Sequence, residues 1–355
     1  MVRHQSPAPC DPPGGGYEVT RAQQESRLHS PALPSPRGEL SDGVINALST
    51  GTAAPSLTRF ADPYGDDLQL ALYVLYELHY QGFDGVADDR EWDPELLALR
   101  RSLEQPFLTA LRADTPASAG AEAAFACLLV DSLGCPDTSV SRYLQQEGEP
   151  WQLRGYAAVR SLYHLKEADP HAWVIPRLHG QAKAAMAAIE FDEFGAGRAD
   201  EVHARLYADL MADLALETAY GHYLDATPAE GLATVNLMSL FGLHRALRGA
   251  LVGHFAAVEV TSPPGSRRLA EALRRTGAGP AAQRFYDEHV EADAVHEQVV
   301  RRDVVGGLLA AEPALEPDVV FGIRATGFLE DRLGARLLGA WRQRRSALRA
   351  QPRRH

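Results

Sequence analysis

The stretch from Pro280 to Val300, PAAQRFYDEHVEADAVHEQVV, reads as a helix carrying His289, Asp293 and His296 in fixed register. Steps of four and three along an α-helix return to nearly the same face. At about 100° per residue, Asp293 lies about 40° from His289, and His296 lies about 20° to the other side. Two imidazoles and a carboxylate thus share one stripe about 10 Å long. That is too long for one metal ion but suits two, which two-metal sites hold roughly 3.5–4 Å apart. Imidazole with carboxylate suits Fe, Mn or Zn, and the lack of thiolate partners argues against structural zinc. The same run also reads as a polar, solvated helix face with two ordinary histidines.

Two further pieces extend the pattern. Glu259 lies among apolar residues in LVGHFAAVEV (251–260). Burying an ionised carboxylate without a partner is very costly, so it must reach solvent, meet a cation or bind metal. Pro263 and Pro264 follow closely and favour a helix-end surface position. The second piece, Ile189 to His203, places Glu190, Asp192, Glu193, Asp200 and His203 around Gly195 and Gly197. It is neither a dinucleotide fingerprint nor an EF-hand loop, because no strand precedes it and the Asp spacing is wrong. Glu193 and His203 would stand about 15 Å apart on an unbroken helix, so they can share a cluster only if the glycines break it. Read alone, this piece is an acidic, solvated helix end. Together, Glu193, His203, Glu259, His289, Asp293 and His296 supply the inward Glu and His side chains from which bundle di-iron sites are built.

The rest of the chain predicts an all-α fold. Leu68, Leu70, Ala71, Leu72, Val74, Leu75 and Leu78 recur at helical steps. Asp93-Pro94-Glu95 reads as an N-cap, a first-turn proline and an acidic first turn. Further helical runs are expected near 119–132, 151–167, 174–194, 200–223, 229–260, 266–275, 280–308 and 318–347, with a break at Pro263-Pro264. No alternating strand pattern and no repeat occurs. Residues 1–60 are rich in Pro and Gly and poor in large apolar residues, so a disordered extension, or alternatively a docking arm, is expected before a helical domain over 61–350.

Composition excludes several classes. The net charge of −12 argues against a binder of nucleic-acid backbones. No uncharged run is long enough to span a membrane, and the first 30 residues hold no apolar signal core, so a cytoplasmic location is expected. Cys10, Cys127 and Cys135 fit neither a disulfide scaffold nor a paired zinc motif, and the last two are expected as buried thiols. His164, His171 and His179 flank a proline turn and read as caps or surface groups; Glu77 and His79 read as structural. His244 and His254 read as core or surface residues.

The order Glu193-Phe194-Gly195-x-Gly197, His203, Glu259, then His289-x3-Asp293-x2-His296 resembles the haem-oxygenase-like di-iron oxidases, also described as iron-containing redox enzymes. The segments Lys166 to Trp173 (KEADPHAW) and Leu72 to Tyr80 (LYVLYELHY) are similar to that family too, and the resemblance covers roughly residues 62–345. It implies a haem-oxygenase-like helical bundle that binds iron rather than haem. The ligands it implies are Glu193, His203, Glu259, His289, Asp293 and His296, with Glu167 at a position that supplies an extra carboxylate in some members. Asp200 stands where some members have a ligand Glu, and its shorter side chain departs from that pattern. The resemblance further implies two Fe(II) per chain, O2 as co-substrate and a small organic substrate such as an amine, amino acid or fatty acid. An external electron donor, a homodimer and a setting in secondary metabolism belong to the same expectation. No nucleic-acid or membrane partner is expected. The rival readings are a haem-binding or haem-degrading helical protein, a non-catalytic helical interaction protein and a two-metal hydrolase.

Overall fold

Runs of Leu and Ala at helical spacing leave an apolar stripe on each helix, and stripes of that kind must be buried against one another. In the computed structural model they are. It describes residues 30–52, 62–115, 120–133 and 139–349, with backbone alone at 130–133 and 291–295. The helices are α1 (Glu39–Thr50), α2 (Asp66–Glu77), α3 (Pro94–Asp114), α4 (Ala121–Leu133), α5 (Val140–Gln146), α6 (Pro150–His164), α7 (Asp169–Ala172) and α8 (Gly180–Glu193). They continue with α9 (His203–Asp213), α10 (Ala229–Leu243), α11 (Arg248–Thr276), α12 (Pro280–Val299), a π-helical segment (Val300–Val305), α13 (Gly306–Ala311) and α14 (Glu316–Arg342). No strand occurs among the described residues.

The long helix α11 packs along α14 on one side and α12 on another. Gly253 faces the backbone of Val319, and Gly322 faces the backbone of Ala250, so neither position has room for a Cβ. These reciprocal glycines let the two helices approach backbone to backbone. The buried apolar residues form two clusters. One gathers α2, α10 and the first half of α11 up to Val260; the other gathers α9, Leu269 to Leu273 of α11, and Phe285 and Tyr286 of α12. The candidate polar residues fall where one cluster gives way to the other.

Several expectations need correction. Residues 1–29 and 53–60 of the expected extension lie outside the described residues, but 39–50 form a docked helix. Val44, Ala47 and Leu48 are buried at helical spacing, and Asp67 accepts from the first-turn amides of Leu40 (3.0 Å) and Ser41 (2.8 Å). A capping carboxylate supplied from α2 stabilises a helix whose own sequence is weak. Pro263 and Pro264 do not end α11; they lie inside it. Tertiary packing overrides their propensity, since Val260, Ser266 and Leu269 on both sides are buried. The run expected over 229–260 is interrupted by extended His244 and a 3-10 turn at Arg245–Leu247, and the run over 200–223 stops at Asp213. Cys127 is exposed rather than buried, and Cys10 and Cys135 lie outside the described residues. The N-cap at Asp93 forms as expected, with its carboxylate accepting from Glu95 N at 2.8 Å. Among the described residues no helix is long and apolar enough to cross a membrane.

Candidate metal centre

The link between α8 and α9 brings two distant residues together. Gly195 and Gly197 have φ values of 76° and 84° and form a tight turn, so α9 starts anew at His203. A Cβ on Gly195 would sit 2.7 Å from Val202 N, and only glycine fits there. The turn sets His203 Nδ1 2.7 Å from Glu193 Oε2. The glycine break that the spacing required is therefore present.

Glu167 follows α6 in a turn pinned on its other side. Lys166 is buried and its Nζ pairs with fully buried Glu77, which also accepts from Tyr220 Oη at 2.9 Å. Glu77 thus has the structural role expected of it. Glu167 Oε2 lies 3.0 Å from His164 Nδ1 and 4.0 Å from His289 Nε2. Burial pushes the Glu167 carboxyl up, but His164, then His289 and His203, outweigh it and hold it down at about 2. His164 is thus a partner of a candidate ligand, not a surface cap.

On α12, His289 Nδ1 lies 2.7 Å from the carbonyl of Phe285. A carbonyl only accepts, so Nδ1 carries the proton and Nε2 presents a lone pair. That buried Nε2 has no hydrogen-bond partner. Two turns further on, His296 Nδ1 lies 3.4 Å from Glu259 Oε2 and 3.9 Å from Glu193 Oε1, while its Nε2 lies 3.3 Å from Asp192 Oδ2. Burial would push His296 down, but Glu259, Glu193 and Asp192 hold it up at about 9. The surroundings of that imidazole favour a cation. Glu259 is buried in mid-helix rather than at a helix end, because α11 runs on through its prolines.

These side chains fall into two groups. Glu167, Glu193, His203 and His289 bring one donor atom each to within 4.8 Å of one another, and so do Glu193, Glu259 and His296. Glu193 belongs to both groups. Asp293 lies on α12, but its side chain is outside the described residues. Asp200 is exposed and belongs to neither group. The donor set is imidazole and carboxylate without thiolate, which suits iron, and His289 Nε2 is oriented as a ligand whose other nitrogen is fixed by the backbone.

The sequence reading missed a neighbouring set. His171, taken for a cap or surface group, is buried, as are Glu190 and His254. Each lies three to five residues from a candidate ligand, on three separate segments, so no local spacing marks them as a set. His254 is in the core, as expected.

Fold and side chains define an all-helical protein with a buried histidine–carboxylate centre. The family model of iron-containing redox enzymes matches residues 154–331, about half of the chain, and the chain belongs to that family. The matched span contains every residue of both donor groups. A search of curated proteins finds no significant match.

Proposed function

We propose that this iron-containing redox enzyme is a di-iron, O2-dependent oxidase or oxygenase acting on a small organic substrate. The observation that carries the reading is Glu193, whose carboxylate is common to two donor groups. A carboxylate has two oxygens, and a shared one suits a bridge between neighbouring ions. Glu167, Glu193, His203 and His289 would hold one ion, and Glu193, Glu259 and His296 the other, with Asp293 of α12 as a further candidate. Ferrous iron bound there would supply electrons for O2 reduction, the substrate and an external donor supplying the rest.

The chain's own residues do the remaining work. Three carboxylates, those of buried Glu193 and Glu259 and partly buried Glu167, offset the charge of two dications. The Phe285 carbonyl fixes the His289 tautomer, and His164 orients Glu167. The apolar clusters on either side exclude water. A haem reading needs one axial imidazole in an apolar cleft, and this interior is instead lined with carboxylates and several imidazoles.

The test is an anaerobic Fe(II) titration of the metal-free protein, then exposure to O2 with optical and Mössbauer readouts. Two ions per chain and iron oxidation on O2 exposure are expected, both impaired in His289→Ala and His296→Ala. Failure to bind iron, with the variants behaving as wild type, would sink the reading.

A further inference from the structure

Beside the candidate metal centre lies a second buried polar layer. Glu190 precedes Glu193 by one turn of α8, His171 lies four residues after Glu167, and His254 lies five before Glu259 on α11. The three face one another. His171 Nδ1 is 4.0 Å from Glu190 Oε1, and the His171 and His254 ring centroids are 5.3 Å apart. Four buried atoms of this set have no hydrogen-bond partner: His171 Nε2, both carboxylate oxygens of Glu190, and His254 Nε2. Buried polar atoms are rarely left in that state, and a cluster of them marks a place that something else completes.

The hydrogen bonds around the set say what kind of group fits. Thr326 Oγ1 donates its one proton to the carbonyl of Gly322 at 2.7 Å. It must therefore accept from His254 Nδ1, 2.8 Å away, and His254 Nε2 is left with a lone pair. Burial, then neighbouring His171, keeps His254 neutral. Glu190 is carboxylate on both edges, and among the described residues no lysine or arginine pairs with it. Burial, then Glu193 and Glu259, press its carboxyl upward, and a cation seated against it would offset both. The layer is rich in acceptors and poor in donors. A primary ammonium brings three donors and a guanidinium five, whereas a carboxylate brings none. The three side chains do not draw their donor atoms within 4.8 Å of one another, as the two metal groups do, which argues against a further ion.

We propose that His171, Glu190 and His254 form the subsite for a cationic, donor-bearing head of the substrate, a primary ammonium or guanidinium group. The proposal rests on the reading of the adjacent centre as the reactive site. It selects amines, amino acids through their amino or guanidino groups, and related cations over fatty acids. One turn of helix separates Glu190 from Glu193, about 5 Å along the axis, so the bound head sits next to the iron ligands. Oxidation then falls on the nitrogen itself or on the carbons nearest it.

The probes are n-butylamine, n-butylguanidine and butyrate, titrated by calorimetry into anaerobic Fe(II)-loaded protein and into metal-free protein. Saturable binding of the amine or the guanidine is expected, with no competition from butyrate. Glu190→Gln should weaken that binding by about tenfold or more, the effect of losing a charged hydrogen-bond partner, while iron uptake stays at the wild-type level. Glu190→Leu should abolish probe binding and leave the melting temperature level or higher, because it removes a buried carboxylate without a partner. Binding of butyrate instead, equal probe binding by wild type and Glu190→Gln, or no binding of either cation (ordered water only) overturns the subsite. So does a fall in melting temperature in Glu190→Leu with probe binding intact. If the wild type binds the amine through Glu190 but takes up no iron, the subsite stands and the di-iron reading fails. If iron binds and neither cation does, the subsite alone fails.

Discussion

The two donor groups that share Glu193 are built differently. In the group of Glu167, His203 and His289, each side chain is braced from behind. His164 holds Glu167, the Phe285 carbonyl holds His289, and the His203 ring lies 4.5 Å from that of His289 between centroids. Phe285 and Tyr207 close this side with aromatic rings. The group of Glu259 and His296 has looser support. Glu259 lies on α11 four residues before Pro263, where the helix lacks two amide donors and its own carbonyl loses the usual partner. His296 lies four residues before the π-helical segment at Val300–Val305, and its outer nitrogen reaches Asp192, which is 54% exposed. Side chains braced from behind favour a preorganised site, whereas irregular backbone beside solvent favours exchange. The first group should therefore bind its ion more tightly and hold it longer.

The shared residue gives the largest expected effect. Glu193→Gln removes the one charge that both groups use, so iron uptake should fall below one ion per chain and O2-dependent turnover should be lost. Metal analysis after desalting measures this; two retained ions would break the comparison at its root. Next in size is the contrast between groups. His289→Ala should abolish the tight step of an Fe(II) titration, while Glu259→Gln should leave that step and remove only the weaker one. Identical loss in both variants would show one cooperative centre, not two unequal halves. His164→Ala acts on metal through Glu167, its partner at 3.0 Å. Loss of such an outer partner typically weakens affinity by about 10–100-fold, so the tight step should soften by that much and keep its stoichiometry.

How much of this was legible in the sequence depends on whether a signal was local. The face shared by His289, Asp293 and His296 follows from helical spacing alone, and so does the need for a glycine break between Glu193 and His203. Both readings use neighbours in the chain. Glu259 looks like a helix-end residue because Pro263 and Pro264 are local helix breakers, and the packing of α11 between α12 and α14, which overrides them, involves residues far away in sequence. Residues 39–50 look like part of a disordered extension for the same reason, since their capping carboxylate is Asp67 of another helix. His171, Glu190 and His254 carry no mutual spacing at all. Only their convergence, and the lack of partners that goes with it, sets them apart.

The smallest expected effect tests the exposed edge of the weaker group. Asp192 neighbours Glu193 on α8, yet its carboxylate turns outward to His296 Nε2 at 3.3 Å. It steadies that ring so that Nδ1 faces Glu259 and Glu193. Water and salt screen a contact of this kind, so Asp192→Asn should weaken the second ion by less than about tenfold. The first ion should be untouched, because the ion pair that Asp192 makes is with His296 of the other group. The wild type titrated at rising salt should approach the behaviour of the variant, and the variant should respond less to salt. If Asp192→Asn instead costs the first ion as well, the two groups act through Glu193 as one unit. The asymmetry in their supports would then have no consequence for metal binding.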